Sequence, residues 1–118
     1  MNTTPIARDL VLLGGGHSHV LLLRMLGMNP IPGLQVTLIT PDVLTAYSGM
    51  LPGVVSGHYS EKEIHIDLVP LCKFAGARFI LAAAYDIDPV MQVVKCEGRA
   101  DFNYDLLSID IGITPAVS

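Results

Sequence analysis

The stretch Leu10-Val11-Leu12-Leu13-Gly14-Gly15-Gly16-His17-Ser18-His19-Val20 constrains this chain more than any other. A short apolar run breaks into three glycines and then enters a segment with helical spacing. The run reads as a central parallel strand, buried on both faces. A glycine turn between such a strand and a helix presents bare backbone N–H groups. Together with the helix N-terminus it makes a place for an anion such as a phosphate. Gly14 permits the tight turn, and Gly16 permits a pyrophosphate to approach the backbone without a side chain in the way. The fingerprint for this geometry is Gly-x-Gly-x-x-Gly. Here its third glycine is replaced by His19, so the spacing predicts that His19 swings out or lifts the helix.

The rest of the chain supports an α/β reading. From Ser18 to about Met28 nearly every position is apolar, with Arg24 the lone charge. A helix apolar all round is expected to be buried on more than one side. Gly27 and then Asn29-Pro30 are expected to stop it. Leu34 to Thr40 alternates as a second strand, which completes a strand–helix–strand unit of roughly 30 residues. Pro41 to Tyr59 has no clear period and reads as a long, apolar, glycine-punctuated loop packed against a flat ligand or a partner domain. Ser60-Glu61-Lys62-Glu63 has the spacing of a capping box, so a helix is expected to begin there or nearer Asp67. Leu68, Leu71, Cys72 and Phe74 would form its inner face, and Gly76 its end. Ala77–Ala84 and Met91–Cys96 read as two further strands, Gly98–Asn103 as a loop, and Tyr104–Ile111 as a last buried strand. Met1–Ala7 reads as a lead-in.

Composition bears on what surrounds this unit. The 118 residues point to a single domain, 1–118, long enough for a core without disulfides or a metal. Hydrophobic residues make up 51% and charged residues 15%, against about 25% charged in a typical soluble domain. Either the chain is membrane-embedded, or its faces are meant to be covered by more protein. A spanning helix needs about 20 mostly apolar residues. The best candidate, Leu10–Leu23, is shorter, contains three glycines and is closed by Asp9 and Arg24. No transmembrane segment and no signal peptide are predicted. The chain reads as cytoplasmic, with apolar surface left for a neighbour.

The net charge of −4 and the lack of a basic block argue against a nucleic-acid partner. Cys72 and Cys96 lie far apart and form no Cys-x-x-Cys, so they read as buried structural thiols. His17-x-His19 has no third ligand nearby in sequence. Hydrogen bonding to phosphate or space filling is the reading there, and no metal site is predicted. His58 and His65 are assigned no role.

A second test of the fingerprint is an acidic residue at the end of the second strand, about 20 residues on, to hold ribose hydroxyls. Thr40 stands at that place, and Asp42 follows beyond Pro41. Thr40 can hydrogen-bond a hydroxyl. Asp42 reads equally as a ribose ligand or as a turn carboxylate.

Four ordered segments resemble one family: Leu12–Val20, Ala46-Tyr47-Ser48-Gly49-Met50-Leu51-Pro52-Gly53, Ile66-Asp67-Leu68, and Tyr104-Asp105-Leu106-Leu107-Ser108-Ile109-Asp110-Ile111-Gly112. They resemble the N-terminus of type II NADH dehydrogenases and sulfide:quinone oxidoreductases, flavoproteins with two dinucleotide-binding domains. The likeness is greatest to the oxidoreductase-like domain fused to selenide, water dikinase, and runs from about Asp9 to Pro115. It implies a Rossmann-like FAD/NAD(P)-binding three-layer fold, with a central parallel sheet and a small antiparallel excursion near Phe79–Cys96, and it implies FAD as cofactor. The pyrophosphate would lie over Gly14, Gly15, Gly16 and His17, with Ser18 and His19 beside it and the ribose near Thr40 and Asp42. Met50 and Pro52 would pack on the flavin ring, or simply form core beneath a loop. Gly112 would close the second flavin-contacting motif, which in the family ends Ala-Thr-Gly. Here it is Asp110-Ile111-Gly112.

No residue is given a catalytic role. Neither cysteine falls near the flavin position, which leaves electron or hydride transfer by the flavin itself. NAD(P)H would need a further domain, and 118 residues cannot hold it or the family's later segments. The chain therefore reads as the FAD-binding portion of an NAD(P)H-dependent oxidoreductase, not catalytic alone. Its expected partners are FAD, C-terminal domains or a partner chain, and further copies of itself through exposed apolar surface. Two alternatives stay open: a nucleotide-binding module without redox chemistry, and an interaction module with a degraded pocket.

Overall fold

The computed structural model describes residues 8–47 and 64–111. The elements follow in the order β1 (Arg8–Leu13), α1 (His17–Met28), β2 (Leu34–Thr40), β3 (Leu44–Tyr47), β4 (Ile64–Asp67), α2 (Leu68–Ala75), β5 (Arg78–Leu81), β6 (Ala84–Asp88), β7 (Val93–Cys96), β8 (Phe102–Asn103) and β9 (Leu106–Ile109). Four strands form a parallel sheet in the order β5-β2-β1-β9. This is the α/β architecture expected from the sequence. The antiparallel excursion is present too, as a meander of β6, β7 and β8.

Alternation along the central strands builds three layers. Leu12 of β1, with Val36 and Leu38 of β2, faces the helices and packs with Val20, Leu23 and Leu26 of α1 and with Leu68 and Cys72 of α2. Val11, Leu13 and Ile39 face the other way and pack with Ala82, Val94 and Cys96 beside the meander. The central strands are thus apolar on both faces because both faces are covered. Cys72 and Cys96 are free and buried, one in each layer of core.

Several elements differ from the sequence reading. β3 and β4 pair antiparallel, with Leu44 opposite Asp67 and Tyr47 opposite Ile64. The sequence pattern assigns these segments to a loop and a helix start. Ile64-His65-Ile66-Asp67 does alternate with period two, and the adjacent capping-box spacing obscured it. The box itself, at residues 60–63, lies outside the described residues. Asp67 caps α2 instead, its Oδ1 accepting from the Val69 N–H at 3.0 Å. Gly76 ends that helix in the left-handed region at φ 72°. Gly27 does not stop α1. It lies inside the helix, where an added Cβ would meet the Phe74 ring at 2.1 Å, so it sets the close approach of α1 and α2. Phe74 covers Gly27 from the surface, 56% exposed, rather than facing the core.

The expectation that α1 is buried on more than one side is likewise corrected: His19, Val20, Leu23 and Leu26 form one buried face. Leu21, Met25 and Met28 form an exposed stripe, because sheet and α2 cover only part of its circumference. β9 is an edge of the described sheet with Leu106 and Ile109 exposed, not a buried strand. The Gly98–Asn103 loop contributes the short strand β8.

Candidate functional site

The glycine turn lies where the strand order reverses. The chain leaves β1, crosses through α1 to β2 on one side, and much later returns as β9 on the other side of β1. In open α/β sheets the carboxyl ends of two such strands form the ligand crevice. Gly14, Gly15 and Gly16 stand at this end of the sheet, in contact with Asp110 and Ile111 just past β9.

At each glycine of the turn an added side chain would meet a close neighbour: fixed backbone at Gly14, and side chains at Gly15 and Gly16. Gly14 has φ +95°, and an added Cβ would stand 2.5 Å from the Asp110 carbonyl oxygen and 2.7 Å from Ile111 Cα. Its N–H donates to the Ile39 carbonyl at 2.8 Å, continuing the ladder towards β2. A Cβ on Gly15 would meet Leu68 Cδ1 at 2.8 Å and Thr40 Oγ1 at 3.7 Å. A Cβ on Gly16 would stand 2.4 Å from the carboxylate of Asp110. The main chains of turn and β9 are also tied, through Gly16 N–H to the Asp110 carbonyl at 2.9 Å and Asp110 N–H to the Leu13 carbonyl at 2.9 Å.

Asp110 decides the electrostatics. The N-cap of α1 is Gly16, which has no side chain to satisfy the orphan N–H groups of the first turn. The Asp110 carboxylate does so from just past β9. Its Oδ2 accepts from the Ser18 N–H at 2.8 Å and, more weakly, from the His19 N–H at 3.4 Å. A negative group at a helix N-terminus is favoured by the helix dipole as well as by these bonds. The turn therefore has the donor set of an anion site, and a carboxylate of the chain itself uses part of it.

His19 does not swing out. It is 1% exposed, with Nδ1 2.7 Å from the Gly14 carbonyl and Nε2 2.8 Å from Ser108 Oγ. The ring links the turn, α1 and β9, in place of the close helix–strand contact that a glycine would give. His17 and Ser18 are exposed at the first turn of α1. Thr40 is buried at the end of β2, and its Oγ1 accepts from the Asp42 N–H at 3.3 Å. Asp42 itself is exposed. The turn and Thr40 thus share one end of the sheet, with Asp42 beyond Thr40. Met50, Pro52 and Gly112 lie outside the described residues. Among the described residues, no three His, Cys, Asp or Glu side chains come together as a metal site.

Sequence reasoning missed Asp110, Ser108 and Leu68 as members of this site. For Asp110 a signal was present: a charge ending an apolar strand, in a chain whose first helix has no capping side chain of its own. Ser108 and Leu68 carried none, since their roles follow from tertiary packing.

No family model matches the sequence, and no curated protein matches it. Solved structures do. The sulfide:quinone oxidoreductase of the hyperthermophilic bacterium Aquifex aeolicus matches 90% of this chain with 29% identity and a TM-score of 0.68. NDH2 from Plasmodium falciparum, in complex with NADH, matches 89% with 19% identity and a TM-score of 0.65. Reduced CoADR-RHD of Bacillus anthracis matches 92% with 18% identity and a TM-score of 0.55. The likeness is one of fold. The chain spans only 24%, 22% and 17% of those three chains. Among the described residues no helix is long and apolar enough to cross a membrane.

Proposed function

We propose that this chain is the FAD-binding portion of an NAD(P)H-dependent oxidoreductase and is not catalytic by itself. One observation carries the reading: a closely flanked turn of three glycines opens α1 at the point where the parallel sheet reverses its strand order. Backbone approach to a pyrophosphate needs that arrangement. The four motifs that resemble type II NADH dehydrogenases and sulfide:quinone oxidoreductases support it, as does the fold shared with the Aquifex aeolicus sulfide:quinone oxidoreductase and with NDH2.

The residues fit the cofactor's phosphates at the backbone and conflict with them at Asp110. Gly14, Gly15 and Gly16 would take the pyrophosphate, with the N–H groups of Ser18 and His19 as donors. Thr40 and Asp42 would serve the ribose, Met50 and Pro52 the ring, and Gly112 the second contact. FAD, when bound, would supply the redox chemistry. This chain's part is to bind and orient it, and a nicotinamide nucleotide would be held by a further domain. The remaining partners are those further domains or a partner chain, and other copies of this chain through the exposed face of α1. A cytoplasmic setting is part of the same proposal.

The test is an FAD titration followed by flavin fluorescence and absorbance. Saturable binding by the native chain is expected, with at least about tenfold weaker binding in Gly16→Val, whose branched side chain would occupy the pyrophosphate position. Circular dichroism checks that the variant is folded. Binding of ADP without FAD would favour a nucleotide module without redox chemistry. Binding of neither would leave an interaction module.

A further inference from the structure

We infer that the Asp110 carboxylate is an internal phosphate mimic: it occupies the N-terminus of α1 and must be displaced before a dinucleotide pyrophosphate can bind, so it sets the affinity of the site. The inference rests on the dinucleotide-binding reading and adds a regulating residue to it. Three observations place the carboxylate in competition with a phosphate. Its Oδ2 takes the Ser18 and His19 N–H groups, the donors a phosphate at this helix would use. Its carboxyl carbon and both oxygens stand 2.4 Å from the position of a Cβ on Gly16, the space that the glycine leaves open for close backbone approach. And its backbone is fixed, through N–H to Leu13 and carbonyl to Gly16, so only the side chain can yield.

The displacement is mechanically simple. Asp110 is partly exposed, and its side chain can rotate from the helix end towards water without disturbing the β9 ladder. A phosphate arriving with Asp110 in place would meet like charge at short range, in a crevice that screens it less than bulk water. With Asp110 turned out, the phosphate inherits both N–H donors and the helix dipole. Dinucleotide and carboxylate are thus alternative ligands of one helix end. The apo chain keeps α1 capped without a capping residue of its own.

The experiment uses the whole 118-residue chain and three probes: FAD, ADP and adenosine. Affinities are measured by calorimetry for the native chain, Asp110→Asn and Asp110→Ser. Both variants keep an oxygen that can accept from the helix N–H groups, and thermal melts monitored by circular dichroism confirm that they fold. Removal of the charge is expected to tighten FAD and ADP by about tenfold and to leave adenosine, which has no phosphate, unchanged. Equal tightening of adenosine would overturn the inference, because the gain would not be directed at phosphate. If the native chain binds FAD or ADP and both variants bind equally or more weakly, Asp110 is a ligand or a bystander, and the inference falls while the dinucleotide reading stands. If no form binds FAD or ADP, both fall together.

Discussion

Gly14 and Gly76 both adopt positive φ, at 95° and 72°, yet the chain asks different things of them. At Gly76 an added Cβ meets nothing within 4 Å, so a substitution costs only the left-handed conformation. At Gly14 the same atom would also collide with the backbone of Asp110 and Ile111, which cannot move without opening the β1–β9 ladder. Gly76→Ala should therefore lower stability by about 1 kcal/mol, and Gly14→Ala by about 3 kcal/mol. Urea midpoints of the two variants check this, and equal losses would show that the Gly14 contact is softer than its geometry implies. His19 illustrates the same dependence on β9. Its ring nitrogens meet one group from the turn and one from a strand 89 positions away. The departure from the fingerprint is a substitution of one way of packing helix on sheet by another.

At the scale of elements, the readable parts were those whose pattern is set by two-sided burial or by a local stop. β1 and α1 follow from continuous apolar runs and from Asn29-Pro30, β2 from its alternation, and α2 from Asp67 and Gly76. β3, β4 and β8 are short strands whose pairing is decided across the sequence, and the one local signal among them, the alternation of β4, is too brief to stand out beside the capping-box spacing. The exposure of the outer α1 stripe was illegible for a related reason: apolar residues state a preference for cover, and only the tertiary arrangement says which face receives it. The capping of α1 by Asp110 belongs to the same class, since the two partners are separated by more than 90 positions. Cys72, legible as a buried thiol, gives this scale a test. Burial of its side chain in α2 pushes its pKa from 9.0 up to about 11, while an unfolded chain keeps the ordinary value. Below pH 9 the thiol is protonated in both states and its contribution to stability is intact. Between pH 9 and 11 the unfolded chain loses the proton first, so stability falls as pH rises. Cys72→Ala should be less stable than the native chain at pH 8, by about 1 kcal/mol, and the gap should narrow and close as the pH rises above 9. Denaturant unfolding in the presence of a reductant measures both, and a gap independent of pH would place the thiol in contact with water.

At the scale of the molecule, the three layers leave the outside of the helix layer unfinished. Leu21, Met25 and Met28 recur at helical spacing along α1 and are 54%, 60% and 62% exposed, with Phe74 of α2 over Gly27 nearby. A contiguous apolar stripe of this kind on a chain with 15% charged residues favours association over dispersion in water. The sheet adds a second open feature, since β9 is paired on one side by β1 and forms an edge of the described sheet. The two features make different demands. Pairing at β9 would use backbone hydrogen bonds and would tolerate changes on α1, whereas packing on α1 depends on its side chains. The charge on this face is low, with Arg24 the only charged residue of the helix, so added lysines meet little compensation and should keep copies apart. Sedimentation equilibrium of the native chain is expected to show mass rising with concentration, and Met25→Lys with Met28→Lys is expected to return it to a monomer. Both positions are exposed, so the double variant should stay within about 1 kcal/mol of native stability, and loss of association can then be assigned to the face. Association that persists in the variant would move the contact to the β9 edge. A native chain that stays monomeric at high concentration would remove self-association from the reading.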